Sequence, residues 1–123
     1  MEKLKKTPLF NSYKKYGAKI IDFAGWDMPV QFEGIIAEHE AVRNRVGLFD
    51  VSHMGEADVT GKDALKFVQN LITNDAANIK DNQILYTPMC YPEGGIVDDI
   101  LVYKFTNEHF FLVINAANID KDI

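Results

Sequence analysis

Apolar and polar positions along the 123-residue chain recur with two periods, and the switches between them mark out its elements. Thr7-Pro8 reads as a helix start, Thr7 as N-cap and Pro8 at the first helical position, with Gly17 placed to end a short helix over about residues 8 to 16. Residues 18 to 24 alternate loosely around Ile20, Ile21 and Phe23, which predicts a strand entering a glycine turn at Gly25. The following residues, through Val30, fit no single period, and the lone Trp26 is read as a core anchor. Ile35, Ile36, His39, Val42 and Val46 recur three and four apart, opposite Glu38, Glu40, Arg43 and Arg45, which predicts an amphipathic helix ended by Gly47.

Residues 48 to 52 and 55 to 60 read as strands interrupted at His53-Met54-Gly55. A helix over residues 62 to 72 carries a broad apolar stripe of Ala64, Leu65, Phe67, Val68, Leu71 and Ile72. Residues 73 to 83 are polar and turn-rich, hence a loop. Strands over residues 84 to 91, 96 to 105 and 109 to 114 are joined by short turns, so they form an antiparallel meander. The last nine residues have helix-forming content without a stop signal, so the chain is expected to end inside an element and to be a fragment of something longer. The fold class this pattern predicts is α+β, an antiparallel sheet with packed helices.

One stretch conflicts with its own pattern. Gly94-Gly95-Ile96-Val97-Asp98-Asp99-Ile100-Leu101-Val102-Tyr103 places two adjacent carboxylates inside an apolar strand, and neighbouring strand side chains point to opposite faces. One of them must face a covered surface, where a carboxylate is stable only if hydrogen-bonded, paired or open to a cleft. Two readings stand: a solvated strand edge that discourages edge pairing, or a carboxylate in contact with a ligand. Tyr86, Asn115 and the break at Ser52-His53-Met54 are the polar groups nearest to it in the pattern.

Composition narrows the classes. The net charge of −5, with no dense basic cluster after the opening Glu2-Lys3-Leu4-Lys5-Lys6, argues against nucleic acid as a partner. No apolar run has the length of a membrane span, and the charged start lacks the apolar core of a signal peptide. Cys90 is the single cysteine, so a reducing, cytoplasmic setting is the simplest reading. His39, His53 and His109 lack partners at zinc-motif spacing, and no metal is assigned. Gly94-Gly95 lies between strands and does not open a helix, so it is not a phosphate cradle.

Seven motifs then occur in one order: Thr7-Pro8-Leu9, Asp22-Phe23-Ala24-Gly25-Trp26-Asp27-Met28-Pro29, Ala41-Val42-Arg43, Gly47-Leu48-Phe49-Asp50-Val51-Ser52-His53-Met54-Gly55-Glu56, Leu71-Ile72-Thr73-Asn74-Asp75, Gly94-Gly95-Ile96-Val97-Asp98-Asp99 and Val113-Ile114-Asn115-Ala116-Ala117-Asn118. In this order they resemble the N-terminal third of the glycine cleavage system T proteins, the tetrahydrofolate-dependent aminomethyltransferases, across essentially the whole chain. The resemblance implies a ring of three domains around a folate channel. Residues 1-50 would supply the N-terminal segment of the first domain, and residues 51-123 a ferredoxin-like βαβββ unit truncated at its C-terminal helix.

The implied reaction moves an aminomethyl group from the lipoyl arm of H protein to tetrahydrofolate, releasing ammonia and methylenetetrahydrofolate. Tetrahydrofolate and lipoylated H protein are therefore the expected substrate and partner. By the same resemblance Asp99 is the acidic residue at the folate, and Met54, Tyr86, Val113 and Asn115 are folate contacts, while Asp98 on the other face is structural. The remaining folate residues lie beyond this segment, so the chain alone is expected to bind folate weakly, to turn over little and to self-associate through uncovered surface. A non-catalytic folate-binding or scaffolding module is the alternative. The folate domain of a dimethylglycine or sarcosine dehydrogenase is disfavoured, because the motifs begin within ten residues of Met1 and leave no room for a preceding flavin domain.

Overall fold

The computed structural model describes residues 3–123, so Glu2 of the opening basic segment lies outside the described residues. The chain divides into two compact units, Met1–His53 and Met54–Ile123. The fold is α+β, with antiparallel sheets and short helices in both units.

In the first unit, helix α1 spans Phe10–Lys15, strands β1 and β2 span Lys19–Phe23 and Trp26–Gln31, and helix α2 spans Ile35–Asn44. Thr7 does not cap α1. Leu9 occupies that position without a side-chain bond, and the buried Thr7 hydroxyl instead bonds the Tyr13 hydroxyl at 2.8 Å. The unassigned Trp26 stretch is the return strand of a hairpin. Phe23 pairs with Trp26 around Ala24-Gly25, both at positive φ (51° and 82°), the geometry of a two-residue turn matched to strand twist. Trp26 is half-buried and meets the His53 ring edge-on at 6.4 Å.

Helix α2 begins where Glu38 turns back to accept three backbone N–H groups, from Phe32, Glu33 and Gly34 at 2.7, 2.9 and 3.0 Å. These donors have no intrahelical partner, and they hold the Glu38 carboxyl below its ordinary range. The helix ends at Asn44, short of Gly47 and of Val46, and its apolar side is open: Ile35 is 61% and Ile36 79% exposed.

Residues 48 to 52 are not a strand. Among the described residues no strand pairs with them, and side chains pin the segment instead. Tyr13 donates to Asp50 Oδ2, while the Ser52 backbone N–H and hydroxyl donate to Asp50 Oδ1 at 2.9 and 2.6 Å. Burial disfavours the Asp50 charge, but these bonds outweigh it and hold the carboxyl at about 2.

The second unit runs β3 (Gly55–Thr60), α3 (Ala64–Leu71), a short 3₁₀ turn (Ala76–Asn78), β4 (Gln83–Cys90), β5 (Ile96–Thr106), β6 (His109–Ile114) and α4 (Ile119–Asp122). Its four strands form one antiparallel sheet in the order β3-β6-β5-β4, with the expected meander as three of them. Period-two alternation is strict in β6, where Phe110, Leu112 and Ile114 are buried and His109, Phe111 and Val113 are not. The inner face packs Ile100, Val102, Phe110 and Leu112 with Ala64, Val68 and Ile72. The stripe of α3 is narrower than its sequence implies, since Phe67 turns outward. Lys104 shares the buried side, where its ammonium donates to the Ile79 carbonyl at 2.9 Å.

Candidate functional site on the outer sheet face

The outer face of the four-stranded sheet carries the candidate residues. Register aligns Tyr86 with Leu101, Leu101 with Val113, and Val113 with Glu56, so four strands contribute one cross-sheet row. Asp99 lies two residues from Leu101, on the same face, and Tyr86 donates its hydroxyl hydrogen bond to Asp99 Oδ2. Tyr86 is 65% exposed, and this bond, followed by the nearby Asp99 charge, raises its pKa. The next row, Ile84, Tyr103, Phe111 and Asp58, extends the apolar and aromatic surface, with Tyr103 and Phe111 edge-on at 6.0 Å.

A backbone irregularity precedes the acidic pair. Met89 pairs with Asp98 and Cys90 with Ile96, so Val97 is the extra residue of a bulge. The Gly94 turn before it has φ +91°, a conformation that glycine adopts without penalty. The Val97 carbonyl, displaced from the ladder, accepts from Lys121 Nζ at 2.6 Å.

Asp98 and Asp99 face opposite ways, as strand geometry requires. Asp99 is exposed, and Asp98 is buried at 5%. The solvated-edge reading fails for Asp98, which is buried; along this stretch β5 pairs with β4 alone, and its pairing with β6 begins at Leu101. Asp98 Oδ2 accepts from the Asn115 backbone N–H at 3.2 Å, and its Oδ1 accepts from Asn115 Nδ2 at 2.9 Å and Asn118 Nδ2 at 2.8 Å. Burial opposes its ionisation, but the donors prevail and hold it at about 2.

The five candidates are thus placed unequally. Tyr86, Asp99 and Val113 share the open face. Asn115 continues β6 past its last residue, and its amide nitrogen is engaged by Asp98 and by the Asp99 carbonyl at 2.9 Å. Met54 directly precedes Gly55, the partner of Ile114, so it stands at the Asn115 end of the sheet. Sequence reasoning missed Asn118 and Asp122. Their signal is the spacing of Asn115, Asn118 and Asp122 at three and four, which sets them on one side of a helical turn.

This face combines an aromatic and apolar surface with three exposed carboxylates, Asp99 beside Tyr86 and Glu56 and Asp58 on the β3 edge, an arrangement suited to a planar heterocycle bearing N–H groups. The GCVT N-terminal domain family matches residues 9–123, and the chain belongs to that family. It is 69% identical over 122 residues to an aminomethyltransferase of Thermoanaerobacter pseudethanolicus, covering 99% of this chain and 33% of the relative. It is 62% identical over 123 residues to one from Halalkalibacterium halodurans, covering 100% and 34%. The crystal structure of the glycine cleavage system aminomethyltransferase T from Bartonella henselae superimposes with a TM-score of 0.91 at 38% identity, over 97% of this chain and 33% of that one. The chain therefore spans about a third of the length of the curated relatives it matches.

Proposed function

We propose that this chain supplies the folate-facing part of a glycine cleavage aminomethyltransferase, which transfers the aminomethyl group of lipoylated H protein to tetrahydrofolate with release of ammonia. In this reading residues 51 to 123 are the ferredoxin-like unit. The observation that carries the proposal is Asp99, exposed on the open sheet face beside Tyr86 and Val113 while its neighbour Asp98 is buried and fully engaged. Tetrahydrofolate supplies the amine that attacks the aminomethyl carbon. Asp99 accepts a hydrogen bond or proton from the folate nitrogens as charge develops there. Tyr86 keeps one Asp99 oxygen oriented and leaves the other to the ligand. Val113 and Leu101 exclude water beneath the ring, Asn115 offers its carbonyl oxygen, and Met54 closes the same end of the sheet.

Ammonia release in the presence of aminomethyl-loaded H protein and tetrahydrofolate tests this. In a polypeptide carrying this sequence within the full length of its relatives, Asp99→Asn is expected to lower turnover at least about 100-fold with the fold intact. Unchanged turnover would overturn the assignment. The 123-residue chain alone is expected to bind tetrahydrofolate weakly and to turn over little.

A further inference from the structure

The side chain of Asp122 is fully excluded from solvent, yet neither carboxyl oxygen accepts a hydrogen bond among the described residues. An ionised carboxylate there would hold an unhydrated charge with its lone pairs unmet. Its neighbour is Asp98: Asn118, one helical turn before Asp122 and accepting its backbone N–H, donates to Asp98 Oδ1 at 2.8 Å, and Asp98 is served by three N–H donors from Asn115 and Asn118. Two neighbouring carboxyl groups, only one of them supplied with donors, would both be satisfied by a single proton that Asp122 carries and donates to Asp98.

The surrounding charges do not substitute for that proton. From α4, Lys121 Nζ pairs with Asp122 Oδ1 at 3.7 Å and favours its ionised form, but the closer partner of that ammonium is the Val97 carbonyl at 2.6 Å, and burial and Asp98 outweigh it. From β4, the register partner of Asp98 is Met89, which is uncharged. Across β5, on the outer face, lie Asp99 and Tyr86, bonded to each other.

We propose that Asp98 and Asp122 share one proton, and that this pair is the positioning device for Asp99, acting through Asn115. It rests on the reading of Asp99 as the folate-facing carboxylate. Both Nδ2 hydrogens of Asn115 are used, one on Asp98 and one on the Asp99 carbonyl, so Asp98 fixes the amide that ties β5 where β6 has ended. Losing the shared proton puts two like charges side by side and drives α4 away from the bulged start of β5. Burial first, then the hydrogen bond to Asp98, push Asp122 up to about 6, which places the change between acidic and neutral pH.

Carboxyl-carbon NMR of the 123-residue chain, titrated from about pH 3 to pH 8, tests this. Asp122 is expected to lose its proton near pH 6, with the Asp98 carboxyl, the Asn115 side-chain amide and the Tyr86 ring responding in the same step. Asp122→Asn carries an amide that donates to Asp98 at every pH, so the step should vanish from Asn115 and Tyr86 while the spectrum stays folded. Titration of Asp122 near the ordinary 3.8 with no response at Asp98 would overturn the proposal, as would a step that survives Asp122→Asn. Adding tetrahydrofolate to a polypeptide that carries this sequence within the full length of its relatives separates the two readings. A coupled step that persists while the ligand moves neither Asp99 nor Tyr86 supports the pair and removes the folate assignment.

Discussion

The same strands build both faces of the four-stranded sheet, with opposite results. On the inner face Phe110, Ile100, Val102 and Val68 are at most 1% exposed and packed on one another. On the outer face Tyr86 and Asp99 are exposed, and Leu101 and Val113, in register with Tyr86, are only half-buried. The difference teaches that an element's pattern can be met in two ways, by internal packing or by leaving surface for something else. Phe110→Ala should break the closed face, costing about 3–5 kcal/mol in denaturant unfolding because the cavity forms where nothing can collapse. Leu101→Ala removes similar chemistry from the open face and should cost less than about 1 kcal/mol. Equal losses would show that the outer face is a second core.

Asp98 and Asp99 condense the comparison into adjacent residues. Asp98→Ala strands the Asn115 backbone N–H and the Asn115 and Asn118 amides, and should destabilise the chain by about 2–3 kcal/mol. The pH dependence has two limbs. Asp98 and Asp50 are held at about 2, below the ordinary 3.8, so their stabilisation is present above pH 3.8 and is lost as pH falls through about 2. Asp122 is raised to about 6, so its contribution is full below pH 3.8 and is lost as pH rises through about 6. As far as these carboxyls set it, the thermal midpoint should peak near about pH 4 and decline on both sides. Asp122→Asn should flatten the alkaline limb alone.

The second unit was legible because its periods are clean and its covering helix lies in the same stretch of sequence. β3, α3 and the meander all follow from alternation and turn residues. The misreadings cluster in the first unit. Residues 48 to 52 have strand composition, but hydrogen bonds to Asp50 hold them without a ladder. Thr7 has cap chemistry, but Tyr13 claims its hydroxyl. The stripe of α2 names a face to bury without naming what buries it, and Ile35 and Ile36 remain exposed. At the site, the two-fold strand period separated Asp98 from Asp99, while only the resemblance to known T proteins assigned their roles. Asn118 and Asp122 were hidden because they reach Asp98 across some twenty residues of sequence, a contact that local pattern does not encode.

The smallest stability effect is expected at Asp99, and that smallness is informative. Its side chain meets the Tyr86 hydroxyl on an exposed face, where a hydrogen bond competes with water and contributes little net. Asp99→Asn keeps the size and an acceptor oxygen for Tyr86, so unfolding should change by less than about 0.5 kcal/mol. The backbone anchor is also preserved, because Asn115 grips the Asp99 carbonyl and not its side chain. A loss as large as that of Asp98→Ala would mean that the outer carboxylate is part of the scaffold, and the division between a closed face for stability and an open face for ligand would fail. A near-silent change in unfolding, together with lost turnover in the full-length context, would place the role of Asp99 in what it offers to a ligand.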